Sequence, residues 1–172
     1  EFRMKVAWIH SFASDRVSSG VFMFDLGEAV SAAGIGVEFA LVRPADAPHK
    51  FFRPSPDLRR MARSCDLIHA QYGSGCGFVT SKLAGKKILT LRGSDWYGAD
   101  SPGLQGFPRR VLSKFLTRKS IDKYDRIIVM SQRMLRELKL RFPYLNVVAL
   151  PDGIDLKRFR HSDQAQARQQ LG

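Results

Sequence analysis

The chain is poor in the residues that build metal and redox centres. Its 172 residues include two cysteines, Cys65 and Cys76, and four histidines. Two thiols are too few for a disulfide framework or a zinc cage. They read as inert buried thiols rather than as a redox or metal pair. No apolar run approaches the roughly 18 residues that a membrane span needs. The apolar stretch from Met4 to Ile9 is too short for a signal peptide. No Asp-x-Asp site, zinc-binding histidine pair, recognisable Ser-His-Asp set or P-loop is present. No metal is expected, and the chemistry need not use one. Acidic residues are also scarce. Lys and Arg total 28 against 16 Asp and Glu, a net charge of +12. Such an excess favours polyanions: nucleic acid, an anionic membrane surface or phosphorylated substrates. The basic residues are scattered and form no nucleic-acid-binding motif, so nucleic acid is the weakest of these partners.

What is there is an alternation. Strand-like runs occur at Lys5–His10, Val37–Val42, Asp66–Ala70, Lys87–Leu91, Arg126–Met130 and Asn146–Leu150. Helical patterns fall between them at Val21–Ala33, Asp57–Arg63, Phe78–Leu83, Arg109–Lys123 and Gln132–Phe142. Ser18 or Ser19 can cap the first helix, and Gly34 can end it. Ala45–Pro56 and Gly93–Pro108 read as loops. Six strands with intervening helices predict an α/β fold, a doubly wound parallel sheet with helices on both faces. Glu1-Phe2-Arg3 is read as a cloning remnant ahead of a native start at Met4. With no span or leader visible, a cytoplasmic location is expected.

Ligands of open α/β sheets bind beyond the carboxyl ends of the strands. That rule selects Ser11–Gly20, Ala70–Gly77, Arg92–Gly98, Ser131-Gln132 and Pro151–Asp155. Small residues at Ser18-Ser19-Gly20 open a helix whose amides can attract an anion, or they form a turn with a capping serine. Gly73-Ser74-Gly75-Cys76-Gly77 lacks the G-x-G-x-x-G spacing and is a poor dinucleotide fingerprint. Arg92 can pair with phosphate or carboxylate. Asp95 can accept a proton or a sugar hydroxyl, or cap the next turn. His10 and His69, at strand ends, are either acid/base groups facing one cleft or structural histidines.

The segment Arg109–Lys123 is basic and amphipathic. Val111, Leu112, Phe115 and Leu116 share a face flanked by Arg110, Lys114, Arg118 and Lys119. Such a helix either packs that face on the core or lies on an anionic membrane. In the second case the protein would be peripheral on the inner face of the membrane.

Taken in order, these segments resemble the N-terminal lobe of a GT-B glycosyltransferase of group 1, family 4. Met4–His10 resembles its first strand, and Ser19-Gly20 its small-residue loop. Asp66-Leu67-Ile68-His69-Ala70-Gln71-Tyr72-Gly73 is similar to its Asp-hydrophobic-hydrophobic-His-Ala-His segment. Thr90-Leu91-Arg92-Gly93-Ser94-Asp95 is similar to Thr-x-His-Gly-Ser-Asp. Asp125–Ser131 resembles the strand that ends in serine. Pro151-Asp152-Gly153-Ile154-Asp155, with Phe159, resembles the turn joining the two lobes. The resemblance runs from about Met4 to Gly172.

The resemblance implies a Rossmann-like acceptor-side domain over residues 4–155. Residues 156–172 would be a linker toward a C-terminal donor-binding domain beyond Gly172. It implies transfer of a sugar from a nucleotide-sugar, with retention, in the cleft between lobes. The donor would bind mainly the C-terminal lobe, and this chain alone would be inactive. The acceptor is expected to be a glycan or a lipid-linked or phosphorylated molecule. Ser19 and Gly20 would lie near the donor phosphate or transferred sugar, and Asp95 and Ser131 would line the cleft. His10 is a further substrate-binding candidate, and Arg92, Asp95 and His69 are the cleft candidates for catalysis. Arg92 stands where the family usually has a histidine, and a guanidinium cannot accept a hydrogen bond from a sugar hydroxyl. It would suit a phosphate or a sugar carboxylate. The alternatives are a stand-alone Rossmann-like module for a phosphorylated ligand or nucleic acid, and a flavodoxin-like or dinucleotide-using enzyme.

Overall fold

The structure, a computed structural model, describes residues 4–12, 20–42, 53–98, 107–154, 156 and 164–171. Six parallel strands form one sheet: β1 (Lys5–His10), β2 (Gly36–Leu41), β3 (Leu67–Ala70), β4 (Lys87–Leu91), β5 (Arg126–Val129) and β6 (Val147–Ala149). Their spatial order is β2-β1-β3-β4-β5-β6. The helices are α1 (Val21–Ala32), α2 (Pro56–Ser64), α3 (Ser74–Thr80), α4 (Ser94–Tyr97), α5 (Phe107–Ser120), α6 (Gln132–Arg141) and α7 (Gln164–Leu171). A single 3-10 turn, Ile121–Lys123, follows α5. No helix of the described residues is long and apolar enough to cross a membrane.

Side chains alternate across the sheet, and the two faces are covered unequally. Ala7, Ile9, Ile68, Leu89, Leu91, Ile127 and Val129 point to one face and are buried by residues of α2, α3, α4 and α6. Val6 and Trp8 point to the other, where Met23, Phe24, Leu26 and Val30 of α1 cover them. Right-handed crossovers explain the asymmetry. The step from β1 to β2 runs one way along the sheet, and every later step runs the other way.

Local signals set most boundaries. Ser55 caps α2 by accepting from the Leu58 amide at 3.2 Å, with Pro56 at the first helical position. Ser131 caps α6 in the same way through Met134 N, at 3.2 Å. The N-cap of α1 is Gly20 rather than a serine; Ser18 and Ser19 lie outside the described residues. Gly34, at φ +87°, follows the end of α1 as expected.

Two expectations need correction. The glycine-rich segment before Phe78, outside the expected helix Phe78–Leu83, is itself helical, since α3 runs Ser74–Thr80. Its small residues let the helix approach neighbouring segments closely. A Cβ on Gly73 would stand 2.7 Å from Thr117 Oγ1, and one on Gly77 would stand 3.1 Å from Tyr72 O. These glycines serve packing, which removes the ground for a dinucleotide site there. Within 93–108, expected as one long loop, α4 forms and α5 already starts at Phe107. Both free cysteines are quiet. Burial pushes the Cys76 thiol up to about 12, and burial also raises Cys65.

Tyr124 pins the close-packed layer. Its buried hydroxyl donates to Gly77 O at 2.6 Å. Tyr124→Phe leaves that carbonyl without this donor and should cost about 1 kcal/mol. Urea denaturation checks this; an unchanged midpoint would contradict it.

Candidate functional site at the carboxyl edge of the sheet

The chain order reverses between β1 and β3, so a crevice opens beyond their carboxyl ends. Segments from five elements meet at this edge: the start of α1, and the residues following β3, β4, β5 and β6. Gly20 begins α1 at φ +78°, in the left-handed region that favours glycine. A Cβ there would also meet Phe12 at 2.6 Å. Among the described residues, no side chain caps this helix end. Helix-start amides of this kind suit an anion.

Arg92, after β4, is the hub. Its Nε donates to Gln71 O at 3.2 Å and its Nη2 to Gln71 Oε1 at 3.0 Å. Its Nη1 donates to the Asp152 carboxylate and lies 4.0 Å from Met130 Sδ. The guanidinium carbon sits 4.3 Å from the centre of the Phe22 ring. The side chain is only 8% exposed. Burial lowers its pKa from the ordinary arginine value, and the Asp152 charge and hydrogen bond oppose that shift. One cation therefore ties β3, β4 and α1 to the turn after β6. Three of its five N–H groups point at protein oxygens. Beside it, Gln71 is fully buried, and its Nε2 has no partner among the described residues.

Asp95 lies beneath, fully buried. Its carboxylate accepts from the amides of Gly73 (2.8 Å), Arg92 (3.0 Å) and Gly93 (2.9 Å). Burial pushes the carboxyl above its ordinary range, and those amides pull it back. The side chain knits the β3–α3 and β4–α4 turns together, the capping role open to it in sequence. Tyr72 Oη and Ser94 Oγ, 2.6 Å apart, join the same turns nearer the surface.

The histidines are core groups. His69 Nε2 lies 2.7 Å from Thr90 Oγ1, and its ring meets the Trp8 ring edge-on at 4.8 Å. Burial, helped by the Arg92 charge, lowers its pKa from 6.5 to about 3. It is neutral at ordinary pH. His10 is buried against Phe24 and Phe39, with ring centres 5.2 and 6.2 Å away. Ser131 is exposed and occupied as the α6 cap. The geometry thus sets Arg92 at the carboxyl edge beside the first turn of α1, buries Asp95 beneath it, and sets His10 and His69 in the layer under α1. Ser19 lies outside the described residues. Among the described residues, no cluster of three or more His, Cys, Asp or Glu side chains could hold a metal ion.

Sequence reasoning gave Gln71 and Asp152 no partners. Sixty residues separate Arg92 from Asp152. The only available signal was that both follow strands of one parallel sheet.

A family model described as Glycosyltransferase Family 4 matches residues 10–158. The chain belongs to that family. The match embraces both sides of the Arg92–Asp152 contact and the whole of β2 to β6, with only His10 of β1. No curated protein sequence matches the chain. Among solved structures it resembles sucrose-phosphate synthase from Thermosynechococcus elongatus, at TM-score 0.62 and 20% identity. The likeness covers 98% of this chain and 52% of that one, so the family 4 chain spans about half its length. A second sucrose-phosphate synthase structure from that organism aligns at TM-score 0.53 and 15% identity, over 98% and 96% of the two chains. At these identities the likeness is one of fold: a Rossmann-like α/β domain of the GT-B type.

His69 has a measurable consequence. Its folded pKa lies below its unfolded value, so its contribution to stability is complete above about pH 6.5 and is lost as pH falls toward 3. The limiting slope is about 1.4 kcal/mol per pH unit. Urea denaturation across that window should show a shallower acid loss for His69→Gln than for the wild type. Parallel curves would contradict a buried neutral ring.

Proposed function

We propose that this chain is the acceptor-side lobe of a nucleotide-sugar-dependent, retaining glycosyltransferase of group 1. Residues 4–155 form the domain, and 156–172 lead toward a second lobe that holds most of the donor. The family match supports the reading. The observation that carries it is the crevice where Gly20, Gln71, Arg92 and Asp152 converge at the strand carboxyl ends.

In this reading the first turn of α1 faces the donor's phosphate, which gains from the helix-start amides and the dipole. Arg92 acts mainly as a positioning residue, holding Gln71 and Asp152 in place. Transfer breaks the bond from the anomeric carbon to the donor phosphate and makes one to an acceptor hydroxyl. The hydroxyl proton leaves with the phosphate. The nucleotide-sugar is a substrate, and no separate cofactor enters the scheme. The acceptor is a glycan, a lipid-linked sugar or a phosphorylated molecule. The site works in the cytoplasm or on the inner face of its membrane.

The 172-residue chain should show no transfer with any of a panel of nucleotide-sugars, while the polypeptide extended through its second lobe should show it. Arg92→Ala in the extended protein should lower kcat/KM at least about tenfold, a loss of about 1.4 kcal/mol of transition-state stabilisation. Turnover by the 172-residue chain alone, or an extended protein indifferent to Arg92→Ala, would refute the assignment.

A further inference from the structure

The basic helix α5 does not pack its apolar face on the core, the first of the two placements open to it in sequence. Of the four apolar residues on its expected core face, only Leu116 is buried, while Val111, Leu112 and Phe115 are 51%, 51% and 53% exposed. The buried side instead carries Thr117 and Ser120. Thr117 explains why. Its Oγ1 accepts from the Ser74 amide at 2.7 Å and approaches Asp95 O at 3.1 Å. Ser120 Oγ bonds back to Leu116 O at 2.9 Å. Close approach to the glycine-rich α3 demands small side chains, and the larger apolar residues are turned outward.

Around this outward ridge the charge has one sign. From Phe107 to Ser120 the helix carries Arg109, Arg110, Lys114, Arg118 and Lys119 and no carboxylate. Arg110, Lys114, Arg118 and Lys119 have no ion-pair partner among the described residues. Beside α5, a groove of about 460 Å³ is lined by Trp96, Tyr97, Lys114, Arg118, Glu137, Leu140 and Arg141. Its one acid, Glu137, accepts from Arg133 Nε at 2.9 Å. The balance at its mouth is cationic, and Leu140 next to it is 86% exposed.

We propose that this face docks on an anionic lipid bilayer. Val111, Leu112 and Phe115 enter the headgroup–acyl boundary, and Arg110, Lys114, Arg118, Lys119 and Arg141 meet lipid phosphates. Charge complementarity argues for this occupant. Nucleic acid would satisfy the cations but would leave three large apolar side chains without a partner. A second copy of the chain would set like charges against each other across a two-fold interface. A bilayer satisfies both, because apolar burial and attraction to anionic headgroups add. The inference rests on α5 and is independent of the transfer reaction.

The test is co-sedimentation of the 172-residue chain with vesicles of phosphatidylcholine alone, or of phosphatidylcholine with phosphatidylglycerol. Binding should be at least about tenfold tighter to the anionic vesicles and should weaken with salt. Val111→Ser/Phe115→Ser should weaken it severalfold through lost apolar contact, and Lys114→Glu/Arg118→Glu at least about tenfold through charge. All four positions are partly or fully exposed, and circular dichroism checks that the variants fold. Equal or absent binding to both vesicle types would overturn the proposal. So would wild-type affinity in either variant, binding to duplex DNA that the serine variant leaves untouched while vesicles fail to bind, or concentration-dependent dimerisation through this face in place of vesicle binding.

Discussion

A guanidinium held at 8% exposure must find acceptors inside the protein, because burying a charge without partners costs several kcal/mol. Arg92 finds three of them, on two segments distant in sequence. Two are oxygens of Gln71, after β3; the third is the carboxylate of Asp152, after β6. The ring of Phe22 closes the remaining side. Each contact constrains a loop that would otherwise be free to move at the end of a strand. The carboxyl edge is therefore organised around one charge, and the crevice takes its shape from those loops.

A second constraint lies below. The sheet's crowded face carries α2, α3, α4 and α6, and α3 approaches its neighbours closely because Gly73 and Gly77 have no side chains. Asp95 then reaches the amides of both the β3–α3 and β4–α4 turns. The cost of burying this carboxylate is offset by those amides. Because α3 and α5 must meet through small residues, Thr117 and Ser120 occupy the inner side of α5. The exposed apolar ridge of α5 follows from the same packing that fixes the site. The close seating of α3 and the exposed ridge of α5 share one origin in the missing side chains of Gly73 and Gly77.

The architecture was legible in the chain because parallel strands buried on both sides read as continuous apolar runs. Lys5–His10 and Lys87–Leu91 were placed to the residue, and the other strands to within one residue at each end. Other features were hidden for specific reasons. The helical start at Ser74 was masked because glycine argues against helices, while the packing demand for small residues overrides that preference. The orientation of α5 was left open between core packing and an exposed face, because apolar periodicity does not show that Thr117 and Ser120 take the inner side through hydrogen bonding and size. At the site, the order of motifs led to Arg92 and Asp95 but not to their partners. The link from Arg92 to Asp152 depends on sheet order, which places β4 and β6 near each other with only β5 between. Nor does sequence reveal burial, and burial is what turns His10 and His69 from candidate acid/base groups into packed, aromatic-flanked core residues.

The account stands or falls on whether Arg92 and Asp152 are energetically coupled. A double-mutant cycle of Arg92→Ala, Asp152→Ala and the pair, read by urea denaturation of the 172-residue chain, measures this directly. A clamp that organises the edge predicts a coupling energy of about 1–3 kcal/mol, well above the ~0.5 kcal/mol within which independent sites add. Additive losses within that margin would show that the two residues are merely close, and that the carboxyl edge is held by something else.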